Sequence, residues 1–122
     1  GVVKKKVKIE KMIQQSANLG AFISSLYSED FNLMSRCVVD EVVEPDRSML
    51  IPEFESIKKI STEYGALSCG ISGSGPSVFA LSNNSKTSKV ILNNICSHLD
   101  KVNIDYDSFI SKVNPKGIKI VD

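Results

Sequence analysis

Gly70-Ile71-Ser72-Gly73-Ser74-Gly75-Pro76 packs three glycines and two serines into a short stretch between two apolar runs. Missing side chains let backbone N–H groups approach an anion closely, so the segment can cradle a phosphate. The same spacing fits a tight β-hairpin whose glycines only supply positive φ, and spacing leaves both readings open. It is not a Walker A loop, because no Lys-Ser/Thr follows the last glycine. It is not a dinucleotide fingerprint either, because a strand rather than a helix follows. Ser72 and Ser74 would need a base to act as nucleophiles. The single histidine, His98, falls on a helical stretch with no visible link to them, so a serine-hydrolase reading is set aside and His98 is given no role.

The second candidate is Glu44-Pro45-Asp46-Arg47, set among Val42, Val43, Leu50 and Ile51. Pro45 stiffens the segment, and a guanidinium on a stiff turn can grip a carboxylate through two parallel hydrogen bonds, more selectively than a lysine. The competing reading is a surface ion pair from Arg47 to Asp40, Glu41 or Glu44. No His, Cys, Asp or Glu group has metal-ligand spacing, so no metal site is expected.

The elements that must position these residues follow from periodicity. Ile9, Met12, Ile13, Ala17, Gly20, Ile23, Leu26 and Tyr27 keep a 3.6-residue rhythm, which predicts a long amphipathic helix. Leu33, Met34, Cys37 and Val38 repeat the rhythm after a break, so the two should form a helical hairpin. A third helix has Pro52 in its first turn, Glu53 and Glu55 at its positive end, Phe54, Ile57, Ile60 and Tyr64 on its buried face, and Gly65 as its cap. Ala66 to Ile71 and Ser77 to Leu81 read as strands around the glycine loop. Ser85 can cap a fourth helix with Ile91, Leu92, Ile95, Cys96 and Leu99 as its stripe. Ile104 to Val113 and Ile118 to Val121 read as two last strands around Asn-Pro-Lys-Gly. The order α, β, β, α, β, β predicts an α+β fold, an antiparallel four-stranded sheet with helices packed on one face and an extra amino-terminal helical hairpin.

A length of 122 residues suits one core, and the domain is taken as 1–122. With 42% hydrophobic and 24% charged residues the chain is no candidate for disorder. A net charge of +1 supplies no field to draw nucleic acid or an anionic membrane, so neither is expected as a partner. Cys37, Cys69 and Cys96 lack C-x-x-C spacing and sit in apolar segments, which predicts buried thiols and a reducing compartment. No apolar run nears the roughly 20 residues that span a bilayer, and no signal-peptide pattern opens the chain, so a cytoplasmic location is expected. The chain starts Gly-Val-Val-Lys-Lys-Lys without Met, which suggests a piece of a longer protein.

The stretch from Gly65-Ala66-Leu67-Ser68-Cys69 through the glycine loop to Phe79-Ala80-Leu81 closely resembles the third conserved motif of homoserine kinases, members of the GHMP kinase superfamily. Gln15-Ser16-Ala17-Asn18 with Gly20-Ala21-Phe22, then Val43-Glu44-Pro45-Asp46-Arg47, then Leu50-Ile51-Pro52-Glu53-Phe54, are similar to successive segments of the same family in the same order. Gly117-Ile118-Lys119-Ile120 looks like its closing strand, so the carboxy terminus is expected to be present and only the front missing.

The resemblance implies a GHMP-kinase carboxy-terminal domain of ferredoxin-like form. It also implies that the full-length enzyme transfers phosphate from ATP, with Mg2+, to the side-chain hydroxyl of L-homoserine on the route to threonine. Arg47 is then implied to hold the substrate's α-carboxylate. Gly70, Ser72, Gly73, Ser74 and Gly75 are implied to lie where substrate and γ-phosphate meet. A second carboxylate-binding arginine would fall at or before residue 1. The family's phosphate loop belongs to an amino-terminal ATP-binding domain that this chain lacks. The fragment is therefore expected to hold no catalytic residue, to bind no cofactor tightly and to be inactive alone, with ATP engaged through the missing domain; a homodimer is left open.

Three rival readings differ in what they require. Another GHMP small-molecule kinase or decarboxylase would share the glycine loop but not Glu-Pro-Asp-Arg. An α+β regulatory module binding an amino acid would show the same element order and bind its ligand stoichiometrically without catalysis. An RNA-binding sheet needs exposed strand aromatics and a basic surface, and only Phe79 lies in the central strands.

Overall fold

The computed structural model describes residues 4–118 and 120. Helix α1 (Ile9–Ser28) and helix α2 (Phe31–Cys37) form the expected hairpin and pack along one another. Glu29 ends α1 in the left-handed region at φ 53, with its N–H on the Ser25 carbonyl. Asp30 then opens α2 by accepting the Leu33 N–H at 2.9 Å, which satisfies one of the free donors of a helix start.

The hairpin packs with the opposite face from the one the periodicity marks. Ile9, Ile13, Leu19, Ile23 and Tyr27 are exposed, Ile9 at 67% and Tyr27 at 90%. The residues of α1 that are buried are Asn18 and Ser25, at 9% and 0%. Ser25 turns its hydroxyl back onto the Phe22 carbonyl at 2.7 Å, which removes its polar demand at a small side chain's cost in space. Met34 and Cys37 supply the buried apolar atoms of α2.

The rest of the molecule is built around a hairpin of β1 (Ser68–Ile71) and β2 (Val78–Leu81), antiparallel with Cys69 opposite Ala80 and Gly70 opposite Phe79. Between α2 and β1 come a one-turn helix α3 (Glu44–Arg47), a 3-10 turn (Ser48–Leu50) and helix α4 (Phe54–Glu63); α5 (Ser85–Lys101) follows β2. The core lies where α4 and α5 meet the strands: Ile57, Cys69 and Leu99 are buried together, with Val78, Ile95 and Ile104 packed against them.

Two helix starts differ from expectation. Pro52 lies ahead of α4 rather than in its first turn, because Glu53 adopts the left-handed conformation at φ 57 and the helix begins only at Phe54. Asn84, not Ser85, caps α5, its Oδ1 accepting the Thr87 N–H at 2.8 Å. Gly65 follows α4 at φ 90. Phe54 and Ile57 are buried as expected, Tyr64 is 43% exposed, and Ser61 takes the inner position instead.

The fold is α+β with packed helices and the amino-terminal hairpin, and among the described residues the sheet has two strands, not four. Residues 104–113 carry no ladder; they are docked through Ile104 in the core, its N–H on the Leu99 carbonyl at 3.1 Å, and the Tyr106 hydroxyl, which donates to Asp100 Oδ1 at 3.0 Å. Of the last expected strand, Lys119 and Val121 lie outside the described residues.

Candidate functional site

Glu44-Pro45-Asp46-Arg47 is helical rather than a loose turn. Pro45 sits within the first two helical positions, where its missing N–H is no loss. The turn is held from three sides. Glu44 Oε1 pairs with Lys58 of α4. Asp46 accepts the Lys4 main-chain N–H at 3.1 Å and faces the Lys4 ammonium at 3.3 Å, and the main-chain bond above all holds its carboxyl below the usual range. Asp40 accepts the N–H groups of Val42 and Val43 at 2.9 Å each and that of Glu44 at 3.1 Å.

With Asp40, Glu44 and Asp46 engaged elsewhere, Arg47 forms none of the surface ion pairs that its acidic neighbours offer among the described residues. Its Nη1 instead donates to the Ser74 carbonyl at 2.7 Å. Its Nε is buried and has no hydrogen-bond partner. On a guanidinium, Nε and Nη2 form the edge that can hold a carboxylate side-on, and the Nη1 bond to Ser74 does not use that edge, whose Nε is covered by neighbouring atoms.

The glycine loop is a tight connection between β1 and β2. The Ser72 N–H reaches the Ser77 carbonyl at 2.8 Å, and the Gly75 N–H reaches the Ser72 carbonyl at 3.2 Å. Those two amides are spent inside the loop, which leaves the Gly73 and Ser74 amides for an external acceptor. Gly75 has φ 77, a conformation that favours glycine, and its missing Cβ would meet Ile51 Cδ1 at 3.1 Å, so a larger residue would also press the end of the Ile51 side chain aside. Gly70 is required by approach rather than conformation: a Cβ there would lie 3.2 Å from the Phe79 ring and 3.3 Å from Glu44 Oε2. The strand leading to the loop and the helix carrying Arg47 are thereby in direct contact.

Ser72, Gly73 and Ser74 are exposed, and Arg47 is half-buried beside them. An open cleft of about 210 Å³ lies next to this region, lined by Gln15, Asn18, Leu19, Asp40, Gly70 and Phe79 among others. Neither Arg47 nor Ser72 to Gly75 lines it, so the cleft adjoins the loop and does not contain it.

The remaining ionisable groups serve structure. His98 is half-buried and bonds Glu53 Oε2 at 2.8 Å, tying α5 to the start of α4. That contact, with the Ser56 hydroxyl second, keeps the Glu53 carboxyl below its ordinary value. Burial pushes the Cys69 thiol up, the reverse of an activated nucleophile. Cys37 and Cys69 are buried and Cys96 is half-buried, all three as thiols. Among the described residues no three His, Cys, Asp or Glu side chains converge as metal ligands, and no helix is long and apolar enough to cross a membrane.

Sequence reading singled out Arg47 and the loop but missed the Ser74 carbonyl and the part played by Asp40. An Asp a few residues ahead of a Glu-Pro helix start is the available signal for the second, since Asp side chains commonly take up nearby free N–H groups. Nothing in residue type marks a main-chain carbonyl as an arginine acceptor.

The α+β domain thus sets a glycine hairpin against an arginine carried on a proline-stiffened turn. The family model described as "GHMP kinases C terminal" matches residues 22–101, and the chain belongs to that family. The chain is 36% identical over 122 residues to the homoserine kinase of Chlorobaculum tepidum, covering 98% of this chain and 38% of that protein. It is 41% identical over 90 residues to the homoserine kinase of Buchnera aphidicola from Schizaphis graminum, covering 74% of this chain and 29% of that protein. The crystal structure of homoserine kinase from Cytophaga hutchinsonii superposes with a TM-score of 0.89 at 38% identity, over 93% of this chain and 36% of that one. The chain thus spans between 29% and 38% of the length of these relatives.

Proposed function

We propose that residues 1–122 form the carboxy-terminal, substrate-side domain of a homoserine kinase, which transfers the γ-phosphoryl group of ATP to the hydroxyl of L-homoserine. The products are ADP, O-phospho-L-homoserine and the proton released from the hydroxyl. The observation that carries this reading is the Arg47–Ser74 contact, which sets a guanidinium against the glycine loop while its side-on edge remains without a partner. A buried, unpaired N–H costs roughly 1–3 kcal/mol, a penalty that a substrate carboxylate would relieve once the atoms covering Nε give way to it. The names of the relatives support the choice of amino-acid substrate.

In this reading Arg47 fixes the α-carboxylate, and the loop of Gly70, Ser72, Gly73, Ser74 and Gly75 bounds the place where hydroxyl and γ-phosphate meet. The open amides of Gly73 and Ser74 suit an anionic oxygen there. Phosphoryl transfer depends on positioning and charge neutralisation. ATP and Mg2+ would be held by the portion of the protein outside this chain, so the isolated chain is inactive. Residues 104–113, apolar at Phe109, Ile110 and Val113 and exposed there, would pair with a free edge of the β1–β2 hairpin to extend it towards a four-stranded ferredoxin-like sheet. A cytoplasmic setting accords with the free thiols, and homodimerisation is left to measurement.

The test is an ADP-release assay on the full-length enzyme with homoserine and a panel of other small alcohols, beside the isolated chain. Homoserine-dependent turnover by the full-length enzyme alone is expected. A preference for another alcohol would reassign the substrate, and turnover by the isolated chain would overturn the division of labour.

A further inference from the structure

Polar side chains of α1 grip one short stretch of main chain. Asn18 donates from Nδ2 to the Val39 carbonyl at 3.1 Å, and Gln14 fixes the Asn18 amide by donating to its Oδ1 at 2.9 Å. Gln15 Oε1 accepts the Glu41 N–H at 2.8 Å, and Lys11 donates to the Glu41 carbonyl at 3.1 Å. Residues 39 and 41 are therefore pinned on either side of Asp40. Asp40 in turn gathers the amides of Val42, Val43 and Glu44, and the Val43 carbonyl accepts the Arg47 N–H at 3.0 Å. Hydrogen bonds linked by the main chain of residues 39–43 thus lead from α1 to the backbone of Arg47.

We propose that Asp40 is a positioning residue for Arg47, with Asn18 and Gln15 as the clamps that hold Asp40 in place. The inference rests on the reading of Arg47 as the carboxylate-binding group and adds to it a reason for the inverted packing of α1. Beside the half-buried Ala21 and Phe22, the face of α1 that meets the rest of the domain carries Gln15 and Asn18 because they hold a main-chain segment in place. A guanidinium on a one-turn helix has little intrinsic order, since so short a helix is not stable by itself. Three amides gathered on one carboxylate supply that order, and a displacement of about 1 Å at a binding group is enough to cost on the order of a hundredfold in rate.

The experiment is a double-mutant cycle in the full-length enzyme with Asp40→Ala and Arg47→Ala, read as KM for homoserine, KM for ATP and kcat. Asp40→Ala is expected to lower kcat/KM for homoserine at least about tenfold, to leave KM for ATP unchanged, and to add little on the Arg47→Ala background, as befits a residue acting through another. Asp40→Asn retains one oxygen for the Val42 and Val43 amides and should recover part of the loss. If Asp40→Ala does not fold, Asp40→Asn and Asn18→Ala carry the same cycle. Wild-type homoserine kinetics, an equal rise in both KM values, or full additivity with Arg47→Ala would overturn the proposal while leaving Arg47 in its role. An Arg47→Ala enzyme with unchanged homoserine kinetics would remove the carboxylate reading itself, and this proposal with it.

Discussion

The Arg47 Nη1 and the Ser74 carbonyl oxygen meet at 2.7 Å across 27 residues of sequence. This contact joins a one-turn helix to a loop that shares no secondary structure with it, through one main-chain acceptor. It also orients the guanidinium, because a bond through Nη1 leaves Nε and Nη2 as the edge turned away from Ser74.

Arg47→Ala in the full-length enzyme should lower kcat/KM for homoserine about 100-fold, on the order of 2.7 kcal/mol, the worth of a lost charged bidentate contact. KM for ATP should change less than about threefold by the same reasoning. Arg47→Lys should recover little, since an ammonium cannot bond Ser74 and a carboxylate with one rigid fork. Steady-state kinetics with each substrate varied in turn decide the matter.

Gly75→Ala should destabilise the protein by about 1–2 kcal/mol, because the site has φ 77 and a Cβ would meet Ile51 at 3.1 Å. Ile51→Ala combined with it should return only the steric part, leaving the conformational cost. Urea denaturation of the single and double variants separates the two.

The orientation of α1 is open to a direct check. Ile13→Gln and Ile23→Gln lie on the exposed stripe and should each change the stability of this chain by less than about 0.5 kcal/mol. Ser25→Leu, at a fully buried small residue, should cost about 1–3 kcal/mol by overpacking. The reverse ranking in denaturant titrations would mean that the apolar stripe faces inward.

The Glu53–His98 contact predicts an acid-labile contribution to stability. The Glu53 carboxyl is lowered from its ordinary value of 4.5 by His98 first and Ser56 second. The unfolded chain therefore takes up the proton at higher pH than the folded one. The stabilisation is complete above pH 4.5 and is lost as pH falls through the lowered folded value. The Tm difference between wild type and His98→Ala should accordingly be present at pH 6 and shrink below pH 4.5; a difference that grows on acidification would refute the assignment.

Sequence alone determined a good deal here. The 3.6-residue rhythm located α1, α2, α4 and α5, because helix formation follows local periodicity and end signals that neighbouring residues carry. Glycine and proline spacing marked the β1–β2 hairpin and picked out Arg47 as a stiffly mounted cation for the same local reason. Periodicity could not determine which face of α1 would be buried. Its apolar stripe looks like a core face, yet the opposite side packs inward, with Phe22 and Ser25 against the domain and Asn18, Gln15 and Lys11 on the carbonyl and amide groups of residues 39 and 41. Nor could residue types disclose that Arg47 would leave Asp40, Glu44 and Asp46 to other partners and take the Ser74 carbonyl. Main-chain acceptors look alike in every sequence, and only folding brings one of them to a particular side chain.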